Sequence, residues 1–192
     1  MIQKMSFKIE GVAPLMMHNG RLADGDDPYV RAMKVITSNR KKTDADLEEL
    51  ARLGFLGGLY LNKSDQVIIP GFVFEACLIG RGGAARKERM GKEAAAALWV
   101  TKDFLLIYDG PQDPDGLWKD KKFVDQSMVS VQSSKVKRTR PFFQEWAAEI
   151  ELEFNNNLID EEQVRRWVEV AGEQVGLCDW RPRLGRFKVI WE

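Results

Sequence analysis

Near the end of the chain, in GLCDWRPRLGRFKV (Gly176–Val189), Arg181, Arg183 and Arg186 fall within six residues, beside Trp180 and framed by Gly176 and Gly185. Guanidinium groups present planar forks that match phosphate oxygens. Glycines admit φ > 0 and let backbone N–H groups approach an anion closely. Trp180 has a face on which a base can stack. This combination predicts a phosphate-binding loop. The plain alternative is a tight helix-to-strand turn with solvated arginines and a Trp packed on the core.

Three more stretches concentrate basic side chains. SSKVKRTRPFF carries Lys135, Lys137, Arg138 and Arg140 ahead of Phe142 and Phe143. In an extended segment Lys135, Lys137 and Thr139 share one side, and Val136, Arg138 and Arg140 share the other. Basic residues interleaved with aromatics suit a single strand, with phosphates held and bases stacked. A charge-protected edge strand with its phenylalanines in the core is the competing reading. RGGAARKERMGK adds Arg81, Arg86 and Lys87, and SNRKKTD adds Arg40, Lys41 and Lys42 as a basic flap or a solvated loop.

Catalytic chemistry has little to work with. His18 is the only histidine, so neither a His-paired triad nor a multi-His metal site is available. Cys77 and Cys178 lack CxxC spacing, which argues for two reduced thiols rather than a disulfide or a zinc site. GRGGAAR has neither the ending of a Walker A loop nor a strand before it. The expectation is a non-enzyme without catalytic residues, metal or cofactor.

Lys plus Arg number 29 and Asp plus Glu number 29 among 192 residues, so the net charge is zero and composition alone gives no nucleic-acid signal. Distribution does. The four basic stretches are poor in acids, which gather in Asp44–Glu49, Asp109–Asp125 and Glu149–Glu173. Such segregation can build a basic face on a neutral protein. The N-terminus alternates like a strand and lacks the apolar core of a signal peptide, and no apolar run is long enough to span a bilayer. A cytoplasmic protein with no membrane partner is expected.

Periodicity supplies the elements that must position these groups. KMSFKIEG reads as a strand with Phe7 and Ile9 inward. Residues 20–43 read as polar and weakly periodic. TDADLEELARLGFLGG reads as a capped helix, and GGLYLNKSDQVIIPG as a hairpin turning at Lys63–Asp65. Helices follow from about Phe72 to Ile79 and, after Gly80–Gly83, to about Leu98. KDFLLIYDG reads as a strand and GPQDPDGLWKDKKFVD as a turn-rich loop. Ala148, Ile150, Leu152 and Phe154 alternate on one strand. LIDEEQVRRWVEVAGEQVG is an amphipathic helix capped by Asp160, with Val164, Trp167, Val168 and Ala171 as its stripe. Taking strands 5–10, 128–133, 146–154 and 185–191 with helices 72–80 and 160–174 gives βαββαβ. That is an α+β, ferredoxin-like (RRM-like) core in one domain over 1–192, with insertions at about 20–69 and 84–127. One face of its sheet is left free to bind.

In that order, GVAPLMMHN after the first strand, IPGFVFEACLIGRGGAAR opening a helix, and GLCDWRPRLGRFKV before the last strand resemble landmarks of the RAMP superfamily. That family includes the backbone subunits of CRISPR effector complexes. Its landmarks are a PL turn, an IPGSSLKGALR-like helix start and a GxGxxRxxGFGR-like loop. The stretches RKKTD, GGLY, RTRP and DWRPRLGRF are similar to those of phage-encoded relatives, which implies host cytoplasm. Leu184 stands where the family has an aromatic, and Cys178 where it has a second glycine. Lys135–Glu145 leaves room only for a short hairpin where family members carry a long thumb.

The resemblance implies binding of a nucleic-acid backbone, DNA or RNA, by homo-oligomers aligned along the strand, and places the helix bearing Arg81, Arg86 and Lys87 near the nucleic acid. It also offers two alternatives. One is a protein-interaction module or inhibitor that reuses the fold. The other is a metal-dependent RNase using an aspartate after the first strand, for which Asp24, Asp26 and Asp27 are the candidates, although ADGDDP is also ordinary turn chemistry.

Overall fold

The computed structural model describes residues 1–131 and 134–191. It is an α+β protein. Its strands are β1 (Ile2–Gly11), β2 (Leu15–Met16), β3 (Ile68–Ile69), β4 (Leu98–Trp99), β5 (Phe104–Leu105), β6 (Val124–Val131), β7 (Ser134–Phe143), β8 (Ala147–Asn155) and β9 (Phe187–Ile190). Its helices are α1 (Pro28–Ser38), α2 (Asp44–Gly58), α3 (Gly71–Ile79), α4 (Ala84–Lys87), α5 (Gly91–Ala97), α6 (Pro114–Lys119) and α7 (Glu161–Val170). The chain divides into two compact units, one from Met1–Leu15, Ile68–Asp109 and Gln144–Glu192, the other from Met16–Val67 and Gly110–Phe143. No helix among the described residues is long and apolar enough to cross a membrane.

The first unit is built on a four-stranded antiparallel sheet in the order β4-β8-β1-β9. β1 and β8 pair from Ile2↔Asn155 to Glu10↔Ala147. Their period of two puts Met5, Phe7 and Ile9 with Ala148, Ile150, Leu152 and Phe154 on one face, all buried as the alternation requires. α3 and α7 contribute the rest of the core. The Phe74 ring lies 6.2 Å from Phe7, 6.0 Å from Phe104 and 6.1 Å from Phe187. Asp160 accepts from the Gln163 N–H to cap α7, and its stripe of Val164, Trp167 and Val168 is buried, with Ala171 in the wider turn Ala171–Val175 that follows. Burying each large apolar side chain stabilises by roughly 1.5–3 kcal/mol.

The opposite face of this sheet carries a ladder of charges. Lys4 bridges Glu151 at 3.4 Å and Glu153 at 3.3 Å, Lys102 reaches Glu151 at 2.8 Å, and Glu10 takes Lys8 at 2.9 Å and Lys188 at 3.0 Å. Hydrogen bonds from Lys8 and Lys188 hold the Glu10 carboxyl below its ordinary range, and Lys102 does the same for Glu151. The face expected to be free for binding is therefore largely self-neutralised.

The sheet corrects the expected strand set in one place. Residues 128–131 lie in β6, outside this sheet, and the two-residue β4 takes the edge beside β8. Residues 132 and 133 of the expected strand fall outside the described residues. Period-two alternation marks a strand but not its partner, which is how 128–131 reads equally well in either sheet.

In the second unit β6 and β7 form a long antiparallel hairpin, in register from Val124↔Pro141 to Val131↔Ser134. The expected short hairpin at Lys135–Glu145 is thus corrected: β7 is the return arm of a hairpin that begins ten residues before Ser134. Toward its far end both faces are open, with Met128 58% and Val136 43% exposed. β2 completes the sheet in the order β2-β7-β6. α2 is secured by a capping box, in which the Thr43 side chain accepts from Asp46 N–H and the Asp46 carboxylate accepts from Thr43 N–H. It packs on β7, where Gly58 leaves room for the Pro141 ring. Phe55 meets Trp118 at 5.6 Å and Phe123 meets Phe143 at 5.6 Å.

Other segments depart from expectation in instructive ways. Residues 20–43 contain a 3-10 turn at Gly20–Ala23 and the helix α1. α1 starts where Asp27 accepts from Tyr29 N–H and Pro28 occupies the first turn, a start signal compatible with a weakly apolar helix. The acidic loop holds α6, capped by Asp113. The hairpin expected around Lys63–Asp65 is reduced to the single bridge Leu61↔Val67, while Ile68–Ile69 pair with Phe104–Leu105 instead.

Candidate nucleic-acid interface

Within the first unit the glycine-framed loop is fastened at both ends. Gly176 N–H donates to Ala171 O, Leu177 N–H to Gly185 O, Leu184 N–H to Trp180 O and Gly185 N–H to Pro14 O. Arg186 O in turn accepts from Val12 and Ala13 N–H, and Trp146 Nε1 donates to Ala13 O at 2.8 Å. The GVAPL turn after β1 and the loop before β9 are thus one hydrogen-bonded structure. Gly185 sits at φ 72°, and a Cβ there would collide with the Leu177 backbone. Cys178 and Trp180 also hold positive φ, at 59° and 62°, where side chains other than glycine are disfavoured. Such strain persists only where the surroundings over-determine it, and it clusters at ligand sites.

Fastening the backbone leaves the charges outward. Arg181, Arg183 and Arg186 are exposed, and among the described residues none of their side chains makes an ion pair or hydrogen bond. Trp180 is 50% exposed. The turn Ala171–Val175, from which the loop departs, packs against α3 and α4. Burial pushes the Cys77 thiol of α3 up to about 12, and the positive charge of Arg181 only partly opposes that. Arg81 and Lys87 are exposed around α4. Arg86 is exposed too, but its Nε donates to Ile79 O at 3.4 Å. The acid beside them, Glu88, is engaged by Arg166 at 2.9 Å. Loop and helix together bring Trp180, Arg181, Arg183, Arg186, Arg81, Arg86 and Lys87 into the same unit.

The remaining candidates lie in the second unit and divide by environment. Lys135 and Lys137 on β7 are exposed. Arg138 is half-buried, and its Nη1 meets His18 Nε2 at 2.9 Å. Because arginine can only donate, Nε2 is the acceptor and His18 carries its proton on Nδ1. Arg140 is only 4% exposed and donates from Nη2 to Ser127 Oγ at 2.6 Å and Asp125 at 3.3 Å, so it is placed inside the unit rather than toward a ligand. Phe143 is fully buried and Phe142 half-buried. Arg40, Lys41 and Lys42 are exposed between α1 and α2, with Lys42 Nζ turned back to Asn39 O at 3.0 Å.

The aspartates of ADGDDP serve the turn. Asp24 accepts from Asp26 N–H, Asp26 pairs with Arg31 at 2.9 Å, and Asp27 caps α1 while pairing with Arg21 at 2.6 Å. Burial raises the Asp27 pKa, but Arg21 and the Tyr29 and Val30 N–H groups outweigh it and leave the carboxyl below its ordinary range. No group of three or more His, Cys, Asp or Glu among the described residues is placed to hold a metal ion.

A pocket of about 680 Å³ in the second unit escaped the sequence reading. Lys137 and Arg138 line it together with His18, Trp118 and Lys121. The last two came from a stretch read as acidic loop. The signal was there in LWKDKK, where a Trp precedes three lysines within five residues.

No protein-family model matches the chain, and no curated protein is significantly similar to it.

Proposed function

We propose that the protein binds single-stranded nucleic acid through the phosphate backbone, without catalysis and with little sequence preference, and that protomers line up along the strand. The observation that carries this is the loop at Gly176–Arg186. Its two ends are hydrogen-bonded through Gly176, Leu177, Leu184, Gly185 and Arg186, yet its three arginines have no protein partner among the described residues. A turn whose only task was to reach β9 would not need three uncommitted guanidinium groups. As presented, they form a preorganised cationic site suited to phosphate oxygens.

The RAMP resemblance agrees with this reading at two points. The sheet order β4-β8-β1-β9, with α3 between β1 and β4 and α7 between β8 and β9, is compatible with a ferredoxin-like reading in which Leu98–Trp99 is the second strand. The hairpin β6–β7 falls, in chain order, where family members carry a thumb, and it has Lys135 and Lys137 exposed. The charge-paired face of the sheet is less suited to stacking bases, so recognition falls to the loop and the hairpin rather than to an RRM-type platform.

Fluorescence anisotropy with labelled single-stranded DNA and RNA at two or more salt concentrations tests the proposal. Log affinity should fall with log salt, by roughly 0.7 per phosphate contact on a single strand. No binding to either polymer at low salt would overturn it and leave the protein-interaction reading.

A further inference from the structure

The pocket of the second unit has a chemical asymmetry that backbone binding does not use. Its apolar lining comes from Met33 of α1 and Leu47 and Leu50 of α2, and its polar lining on β7 from Lys137 and Thr139, which share one face of the strand. Leu47 is 51% exposed, an apolar side chain standing open at the pocket's wall. Lys121 covers the Trp118 ring at 3.7 Å and brings a further cation to the lining, against the single carboxylate Glu48. The lining thus retains an excess of positive charge beside an aliphatic slot.

We infer that this pocket takes one nucleotide of the bound strand, its base against Met33, Leu47 and Leu50 and its phosphate on Lys137. The inference rests on the single-strand reading above and adds a base-binding site to it. A flat, largely apolar body joined to an anion a few bonds away is what these two linings recognise together. A purely apolar ligand would leave the cations unpaired, and a bare phosphate would leave the leucines wet. The volume falls in the range of small-molecule sites, roughly 300–1,000 Å³.

The test uses the whole protein, nucleoside 5′-monophosphates, and an oligonucleotide carrying one 2-aminopurine. The monophosphates should bind, displace the oligonucleotide in competition, and shift amide resonances of α2 and β7. 2-Aminopurine emission should rise as the base leaves its stack for an aliphatic wall. Leu47→Asp and Lys137→Gln should each weaken monophosphate binding by about tenfold, the ratio that corresponds to roughly 1.4 kcal/mol. Both positions are exposed, so melting should be little changed and will show that each variant is folded. Monophosphates that fail to bind, with oligonucleotide affinity intact in both variants, would overturn the pocket and leave backbone binding standing. An oligonucleotide that fails to bind wild-type protein would overturn both.

Discussion

Arg140 and Arg183 show how little an arginine's identity says without its surroundings. Both stand in basic runs that read as phosphate contacts. Arg140 faces Asp125 directly across the hairpin and is buried there, whereas Arg183 is exposed with no partner among the described residues. Its partner is fifteen residues away in sequence, so the pair is legible only to a reading that already has the hairpin and its register. Arg140→Ala strands the Asp125 carboxylate at a partly buried site, and breaking such a pair costs on the order of 3 kcal/mol. Arg183→Ala should change stability by less than about 0.5 kcal/mol while weakening strand binding. Chemical denaturation of the two variants side by side checks the contrast, and equal stabilities would show the burial argument to be mistaken. Asp27 gives a pH signature. Its folded pKa is depressed below the unfolded value near 3.8, so its contribution is present above that value and lost as pH falls through the folded pKa. Asp27→Asn keeps an oxygen to cap α1 but loses the charge that pairs with Arg21, so it should flatten the acid limb of the stability profile and cost about 1 kcal/mol at neutral pH.

At the scale of elements, the strongly periodic pieces were legible. β1, β8 and α7 each bury the residues their spacing assigns, because one-sided burial is what periodicity encodes. The loop before β9 was legible as a glycine-framed unit, though not its fastening to the turn after β1. That depends on backbone groups more than 170 residues apart, Pro14 O and Gly185 N–H. α1 was hidden because it buries no residue fully, leaving only the Asp27–Pro28 start to announce it. β4 was hidden because two residues cannot show a period. The loop's geometry yields a sharp test. Gly185→Ala places a methyl against the Leu177 backbone at a left-handed φ, so it should destabilise the first unit by well over 1 kcal/mol. Arg181→Ala with Arg183→Ala removes no buried group and should leave melting alone. The salt slope should fall by roughly 0.7 per lost phosphate contact. Lost affinity together with a large melting drop in the double variant would make those arginines structural.

For the whole molecule the balance of charge matters more than its amount. With equal numbers of basic and acidic side chains, the protein has no net field to hold copies apart. Its cations are gathered in the loop, around α4 and on β7, while acids dominate Asp109–Asp125 and Glu149–Glu173. A second protomer arriving beside the first on a strand should gain the strand and its neighbour together. Linking the sites through one strand also raises the effective concentration of each protomer at the other. Side-by-side assembly should thus be cooperative, and both the strand and the neighbour contacts should weaken with salt. Light scattering behind size exclusion, run with single strands of increasing length, should give discrete complexes whose protein mass rises in steps. Saturation should be steeper than a single-site isotherm on long strands and should revert to single-site form on strands that hold one protomer. One protomer per strand at every length, with a single-site curve throughout, would rule out assembly while leaving the loop's affinity for phosphate untouched.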